Sequence, residues 1–168
     1  MSFSTSTFLD PLPFMRGTPP SSRVQAVHAA LLTSGIDAAI AELNAGVPHR
    51  YTGIFKLEGA WLRNTHMFDK LGEARPEALE AVALEESFCQ IVLRDGYFIT
   101  ENTSRDERLN YSPFKGVVMS YHGVPLLNNS AQLGGTLCHF DMVEQSLSDD
   151  EFLCLQEAAK LIPAFLRR

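Results

Sequence analysis

Two stretches near the start of the chain carry apolar residues at helical spacing. The first includes Val24, Val27 and Leu31, and the second runs from Ile36 to Asn44. Apolar residues three and four positions apart lie on the same side of a helix, so both stretches are predicted as amphipathic helices. Gly46-Val47-Pro48 is a typical stop signal and ends the second helix.

Strand-like segments follow in two pairs, and each pair is joined by a short turn. Glu58-Gly59 forms the first turn and Asn128-Asn129-Ser130 the second. The segments are rich in aromatic and β-branched residues. They are Tyr51–Leu57 with Ala60–Phe68, and Val117–Leu127 with Ala131–Asp141. Neighbouring strands joined in this way predict an antiparallel sheet.

The middle of the chain is predicted as a broken helix, a short strand and a long loop. Ala78 to Val92 has helical spacing that breaks near Leu84, and Asp95-Gly96 ends it. Tyr97 to Thr100 is a short strand. Glu101 to Gly116 is charged and rich in turn-forming residues, and loops of this length often serve as lids or binding segments.

The last segment is predicted as a well-marked helix. Ser148 is a favourable N-cap, and Glu151 three residues later completes a capping box. Pro163 lies inside the apolar pattern and is expected to kink or fray the last turn. Helices at both ends of the chain can therefore cover one face of the sheet.

Composition narrows the class of protein. The chain has 168 residues, 45% apolar and 20% charged, with a net charge of -6. This length predicts one domain, over residues 21–168. The acidic balance and the scattered basic residues argue against nucleic-acid binding. No apolar run approaches the roughly 18 residues that a membrane span needs. Residues 1–20 show no secretion signal and are predicted as a loosely ordered arm, so a cytoplasmic protein is expected.

Cysteine and histidine usage gives no support to a disulfide framework, a metal site or a bound cofactor. Cys89, Cys138 and Cys154 are odd in number, and no pair has C-x-x-C spacing. The five histidines show no metal-binding spacing. His122 on a strand could reach a ligand, although a hydrogen-bonded strand residue is the more common case.

The C-terminal half carries three motifs in a specific order. Tyr121-His122-Gly123-Val124-Pro125-Leu126 is followed by Gly135-Thr136-Leu137-Cys138-His139-Phe140-Asp141, and then by Leu147-Ser148-Asp149-Asp150-Glu151. In order and spacing these motifs resemble the GAF domain family. The resemblance covers residues 22–168.

The resemblance implies an α+β, profilin-like fold with a central antiparallel sheet of five or six strands. Terminal helices would lie on one face, often used for homodimerisation, and a small-molecule pocket with its loops on the other. It implies a sensory or regulatory domain in signal transduction, which binds an unidentified small molecule, mediates dimerisation, or both. A fold of this kind does not name its ligand.

Alternation along the last strand decides which residues could face the pocket. Thr136, Cys138 and Phe140 share one face, while Leu137 and His139 share the other. By resemblance to phytochromes, the Cys138 face is the pocket side. An arginine in the long loop would suit a carboxylate or phosphate ligand, with a solvated charged loop as the alternative. The candidate pocket residues are Cys89, Thr100, Arg105, Asp106, Met119, Tyr121, Thr136, Cys138 and Phe140.

Three alternatives follow from the same resemblance. The Cys138-His139 pair is similar to the bilin-binding motif of phytochrome relatives, but this chain has no cysteine between Cys89 and Cys138. One GAF branch reduces free methionine sulfoxide with cysteines in the segment equivalent to residues 110–118, where none stands here. The third alternative is a non-binding scaffold with its cavity filled by Phe88, Met119, Phe140 and their neighbours.

Overall fold

The computed structural model describes residues 21–166. The arm predicted over residues 1–20 lies outside these residues, as does the terminal Arg167-Arg168 pair. Across the described part of the chain, no helix combines the length and the apolar character that crossing a membrane requires.

The two predicted N-terminal helices are present. They are α1 (Ser22–Ser34) and α2 (Ile36–Ala45). The Ser21 hydroxyl caps α1 by accepting a hydrogen bond from the Val24 backbone N–H at 3.2 Å. Gly35 has a φ of 92°, which an L side chain rarely adopts, and this glycine lets the chain turn directly from α1 into α2.

A six-stranded sheet forms the centre of the fold. Its strands in chain order are β1 (Tyr51–Glu58), β2 (Trp61–Asp69), β3 (Ala81–Ala83), β4 (Phe98–Thr100), β5 (Ser120–Leu127) and β6 (Leu133–Asp141). Their spatial order is β3-β2-β1-β6-β5-β4, and every pairing is antiparallel. The predicted α+β class and the antiparallel sheet are both confirmed.

The second hairpin is shorter than predicted. β5 begins at Ser120 instead of residue 117, and β6 begins at Leu133 instead of Ala131. Asn128 widens the turn because its side-chain oxygen accepts a hydrogen bond from the Gln132 backbone N–H at 3.0 Å. The wider turn, with a register shift at the end of β5, sets which residues face each other across the hairpin.

The helix predicted over Ala78–Val92 is wrong in its first part. That part instead holds two single 3-10 turns and the short strand β3, and α3 (Cys89–Asp95) begins only at Cys89. The backbone of β3 pairs with the outer edge of β2, where Leu62 faces Val82. These ladder hydrogen bonds outweigh a helical spacing that was only weakly defined. Gly96, with a φ of 89°, ends α3 as predicted.

The C-terminal helix α4 (Asp149–Leu161) starts as predicted. The Ser148 hydroxyl accepts a hydrogen bond from the Glu151 backbone N–H at 3.2 Å. The Glu151 carboxylate is not available for the predicted capping box because it pairs with Arg23 Nε of α1 at 2.9 Å. Arg23 also binds Glu42 of α2 at 2.9 Å, so one guanidinium joins three helices. After α4 the chain continues as a 3-10 turn that contains Pro163.

The two faces of the sheet bury different layers. On the helix face, Ile54, Val124, Leu126 and Leu137 pack against α1, α2 and α4. On the loop face, a second core joins the sheet to α3 and the segments around it. This core includes Tyr51, Phe55, Phe88, Cys89, Val118, Tyr121, Cys138 and Phe140. The fold therefore has the helix layer on one face and the long loop on the other, as the resemblance implied.

Candidate functional site

The loop face has a small, partly open cavity between the sheet, α3 and the segment that precedes β5. Its volume is about 40 Å³. Its lining is almost entirely apolar, and the lining residues with polar side-chain groups are Ser87, Cys89 and Tyr121. The lining residues are Phe55, Leu79, Val82, Ser87, Phe88, Cys89, Phe114, Val118, Tyr121 and Phe140.

Aromatic side chains occupy most of the space at this face. The Phe88 ring meets the Tyr121 ring edge to face, with centroids 5.5 Å apart, and Tyr51 stacks on Phe140 at 4.9 Å. Gly123 makes room for this packing, because a Cβ at that position would meet the Tyr121 ring. Such pairs bury large apolar areas and prefer these geometries. The face is thus a packed aromatic core with a small residual cavity.

Cys89 lies at the inner end of the cavity and is fully enclosed. Its Sγ is 3.2 Å from Thr136 Oγ1 and 3.4 Å from the Tyr121 hydroxyl. Burial raises the pKa of the Cys89 thiol above its usual value, and burial raises the pKa of the neighbouring Cys138 thiol well above it. Both groups therefore remain protonated near neutral pH. Because the thiolate is the reactive form, this arrangement does not favour nucleophilic chemistry.

Two predicted pocket residues in the long loop lie at a different place. Arg105 and Asp106 line an open, polar depression together with Thr100 and Glu144. Arg105 is exposed and pairs with Glu144 at 2.9 Å. Asp106 accepts hydrogen bonds from Arg108 at 2.6 and 2.8 Å, and this pairing lowers the pKa of the Asp106 carboxyl. The arginines are therefore engaged by carboxylates of the protein itself.

The nine predicted residues consequently separate into groups. Cys89, Tyr121 and Phe140 line the small cavity, and Thr136 and Cys138 lie buried beside it. Thr100, Arg105 and Asp106 belong to the polar depression. Met119 is partly buried and is absent from both linings, and its backbone joins Asp141 and Thr103.

A cluster that sequence reasoning missed lies on the helix face. His122 of β5 and His139 of β6 face each other in the sheet, and His139 faces Thr52 of β1 on its other side. His49, from the connection between α2 and β1, covers this row, and its ring centroid is 4.9 Å from that of His122 and 5.7 Å from that of His139. All three imidazoles are fully buried, at 0%, 1% and 0% exposure for His49, His122 and His139.

Short polar contacts hold the cluster. His49 Nε2 is 3.0 Å from His122 Nδ1, and the Thr52 hydroxyl is 2.6 Å from His139 Nδ1. Asn44 from the last turn of α2 donates to Thr52 Oγ1 at 2.9 Å and to the His49 carbonyl at 3.1 Å. The remaining ring nitrogen of each histidine is buried without a partner.

Burial sets the charge state of the cluster. It lowers the pKa of His49 to about 4 and that of His122 to about 3, and it lowers the pKa of His139 well below its usual value. The imidazoles are therefore neutral near pH 7. In residues 21–166, no group of three histidine, cysteine or acidic side chains has an arrangement that could hold a metal ion.

Part of this cluster left a signal in the sequence. His122 directly follows Tyr121, and His139 directly follows Cys138, in two strands joined by a turn. Because successive side chains of a strand point to opposite faces, both histidines are expected on the face opposite the pocket, which is the helix face. The width of the turn decides whether they meet, and His49 lies 73 residues from its bonded partner. A single sequence carries no signal for that third contact.

Comparison with known proteins supports the fold. No family model matches the chain, and no curated protein matches it by sequence. Solved structures do match. The GAF domain of an Acinetobacter phosphoenolpyruvate-protein phosphotransferase superposes with a TM-score of 0.67 at 16% identity, over 85% of this chain and 89% of that one. The corresponding GAF domain from Coxiella burnetii gives 0.67 at 10% identity, over 86% and 90%.

An enzyme is among the similar structures. The free methionine-R-sulfoxide reductase from Neisseria meningitidis, solved in complex with its substrate, gives a TM-score of 0.66 at 13% identity, over 84% of each chain. Identities this low establish architecture and not activity. The sheet order, the helix layer on one face and these superpositions together show that the chain has the GAF-domain fold.

Proposed function

We propose that this protein is a sensory or regulatory GAF domain that binds a small, largely apolar molecule on the loop face. The observation that carries the proposal is the partly open, mainly apolar cavity between the sheet, α3 and the segment before β5, whose lining includes the polar side chains of Ser87, Cys89 and Tyr121. Burying a charge there would leave it without a partner, which costs several kcal/mol or more. An apolar ligand with one hydrogen-bonding group therefore fits the lining best.

Binding requires the segment before β5 to move, because ligand pockets usually measure about 300–1,000 Å³. Phe114 and Val118 line the cavity from this segment. Two hydrogen bonds hold it against the residues before α3: the Tyr111 hydroxyl donates to the Ser87 carbonyl at 2.6 Å, and the Ser112 hydroxyl donates to the Glu86 carbonyl at 2.5 Å. A ligand would enlarge the cavity by releasing these contacts.

Native mass spectrometry of the freshly purified protein, with an absorbance scan, tests this proposal. The expected result is a co-purified molecule of low mass whose occupancy rises in Tyr111→Phe, because this substitution removes a contact that the ligand must release while keeping the aromatic ring. A flat visible spectrum would remove haem and bilin as ligands. A bare protein mass together with no binding of added small apolar compounds would contradict the proposal.

A non-binding scaffold is the second candidate, and the packing of Phe55, Phe88 and Phe140 against Tyr121 favours it. Phe88→Ala separates the two candidates, because enlarging an apolar cavity lets it accept benzene when the walls are rigid. A binding domain is expected to retain a natural ligand in the unmodified protein. A scaffold would bind benzene only after the substitution.

The proposal also includes a homodimer formed through the terminal helices. Leu32 on α1 and Leu153 on α4 are apolar and exposed, at 65% and 56%. Light scattering at high concentration should show a dimer that Leu32→Glu combined with Leu153→Glu converts to a monomer. A strictly monomeric unmodified protein would contradict it. The three free thiols fit a reducing compartment, which supports the expected cytoplasmic location.

The reductase alternative is disfavoured by the thiols. Residues 110–118 contain no cysteine, and Cys89 is held protonated by burial. Incubation with free methionine sulfoxide and a thiol reductant is expected to give no turnover.

A further inference from the structure

The histidine cluster on the helix face plays no part in the proposed ligand site, which lies on the opposite face. Its members come from three separate elements: His49 from the α2–β1 connection, His122 from β5 and His139 from β6. A leucine or valine at these positions would continue the apolar row formed by Ile54, Leu137 and Val124. The fold instead buries three ionisable rings in contact.

The hydrogen bond between His49 and His122 can form when one of the two rings is protonated, but not when both are. The contact between His49 Nε2 and His122 Nδ1 needs one donor and one acceptor, and protonation of both rings would oppose two N–H groups at 3.0 Å. The outer nitrogens of all three rings have no hydrogen-bond partner among the described protein groups. A proton added to one of them would therefore be a buried donor without a protein acceptor.

The charges around the cluster also oppose protonation. Lys70 and Arg23 act on His139 with the same sign as an added proton, and Lys70 does so on His49. Asp141 is the one neighbouring carboxylate that favours a charged His49. Its oxygens are already engaged by the backbone N–H groups of Arg50 and Met142 and by the Gln145 amide.

The cluster is mechanically tied to the helix layer. Asn44 in the last turn of α2 binds both the His49 carbonyl and Thr52, and the Lys70 ammonium binds the Asn44 carbonyl and side chain at 2.9 and 2.5 Å. Arg23 then links α2 to α1 and α4. Movement of His49 away from the sheet would therefore pull on the end of α2 and, through it, on the whole layer.

We propose that His49, His122 and His139 form an acid-sensitive latch that holds the helix layer on the sheet while neutral and releases it when the rings take up protons. The device is an equilibrium between a closed state with neutral rings and an open state with hydrated imidazolium groups. Release exposes the apolar face formed by Ile54, Val124 and Leu137.

The operating range follows from the two charge states. A hydrated histidine has a pKa of about 6.5, whereas burial keeps the pKa of His49 at about 4 and that of His122 at about 3 in the closed state. The open state thus binds more protons from pH 6.5 downward. Each histidine is neutral in the closed state and protonated in the open state at pH 5. When the pH falls from 7 to 5, each one therefore increases the equilibrium constant for opening by about 20-fold.

Hydrogen exchange measured by mass spectrometry at pH 7.5, 6.5, 5.5 and 5.0, corrected for intrinsic exchange rates, tests the latch on the full chain. In the unmodified protein, exchange in α1, α2 and α4 should rise steeply below pH 6.5, before exchange in β1 and β6. His122→Gln should reduce this pH dependence by about 20-fold between pH 7 and pH 5. The exposed His28→Gln is the matched control and should leave it unchanged.

A second readout needs no substitution. Imidazole signals of the unmodified protein, followed by nuclear magnetic resonance, should show His49, His122 and His139 taking up protons together at the pH where the helices open, with exposed His28 as the internal reference. The latch is contradicted if the three rings charge while the helices stay protected. It is equally contradicted if helices and strands lose protection together, since that result describes global unfolding alone.

Discussion

The two faces of the sheet differ in how their buried polar side chains are hydrogen-bonded. On the loop face, Cys89, Thr136 and Tyr121 satisfy one another inside an aromatic core. On the helix face, His49, His122 and His139 each leave a ring nitrogen without a partner. The first arrangement is insensitive to pH near neutrality, whereas the second becomes unfavourable as soon as its groups gain protons.

This difference shows that two chemically suggestive residues adjacent in sequence need not form one site. The Cys138-His139 pair is similar to a bilin-binding motif, but strand alternation predicts that its two side chains lie on opposite faces. The structure agrees, with the thiol in the aromatic core and the imidazole in the histidine cluster. The Cys138 thiol stays protonated and unreactive because burial raises its pKa. The imidazole can respond to mild acid, because the pKa of a hydrated histidine lies close to neutrality.

The largest expected effect is a loss of stability between pH 7 and pH 5 in the unmodified protein. Because the folded histidines have lowered pKa values, their contribution is complete above about 6.5 and decreases as the pH falls toward about 4. The loss should be about 2 kcal/mol for each ring and about 6 kcal/mol for the three. Urea unfolding followed by circular dichroism at pH 7, 6 and 5 measures it.

Two paired carboxylates, Asp69 and Asp106, do not obscure this window. Hydrogen bonds from Arg50 and Arg108 lower the pKa values of Asp69 and Asp106 below the usual 3.8, so their contribution is lost only in stronger acid. A free energy of unfolding that is flat from pH 7 to pH 5 would show that the two faces respond alike and would remove the contrast.

The second effect concerns the loop face. Phe88→Ala should cost about 3–5 kcal/mol, because it removes a buried ring that contacts Tyr121 and Phe98. The cost should be equal at pH 7 and pH 5, since burial raises the pKa values of the neighbouring Cys89 and Tyr121 and both stay protonated over this range. The partly exposed Phe165→Ala is the control and should cost less than about 1 kcal/mol. A loss that grows in acid would mean that the faces are coupled.

The third effect tests the integrity of the helix layer. Arg23→Met keeps the apolar stem but leaves Glu151 and Glu42 without their shared cation. We expect a loss of about 2 kcal/mol and earlier hydrogen exchange in α1 and α4. Lys160→Met removes an exposed pair with Glu157 and should change stability by less than about 0.5 kcal/mol. Equal effects of the two substitutions would refute the linking role of Arg23.

The smallest effect is expected in the polar depression. Arg105 is exposed and pairs with Glu144, so Arg105→Ala should cost about 0.5 kcal/mol or less. Native mass spectrometry should show the same co-purified species as in the unmodified protein. A lost species would assign ligand binding to the depression instead of the cavity.

The sequence predicted most of the framework because local signals agreed with one another. Gly46 and Ser148 mark helix ends that the structure confirms, and the Glu58-Gly59 turn joins β1 to β2 as expected. The strand at Ala81–Ala83 was missed because its stability comes from the edge of β2, which is about twenty residues earlier in the chain. Local spacing cannot report such a partner.

The candidate site was predicted less well than the fold. Alternation correctly placed Thr136, Cys138 and Phe140 on the loop face. It could not say that aromatic rings would leave a cavity of only about 40 Å³, because packing depends on rotamers across several elements. Arg105 looked available for a ligand because the sequence does not reveal that Glu144 folds against it.

Two arginine side chains occupy positions near the outer boundaries of the sheet. Arg108 donates to the Ile99 carbonyl of β4 at 3.3 Å, and Arg75 donates to the Asn64 carbonyl at 3.2 Å beside β3. Both outer strands are only three residues long. Short, charged margins discourage a foreign strand from joining a sheet. The two outermost strands are therefore poor sites for strand addition, and the proposed dimer is expected to form through the helices instead of these strands.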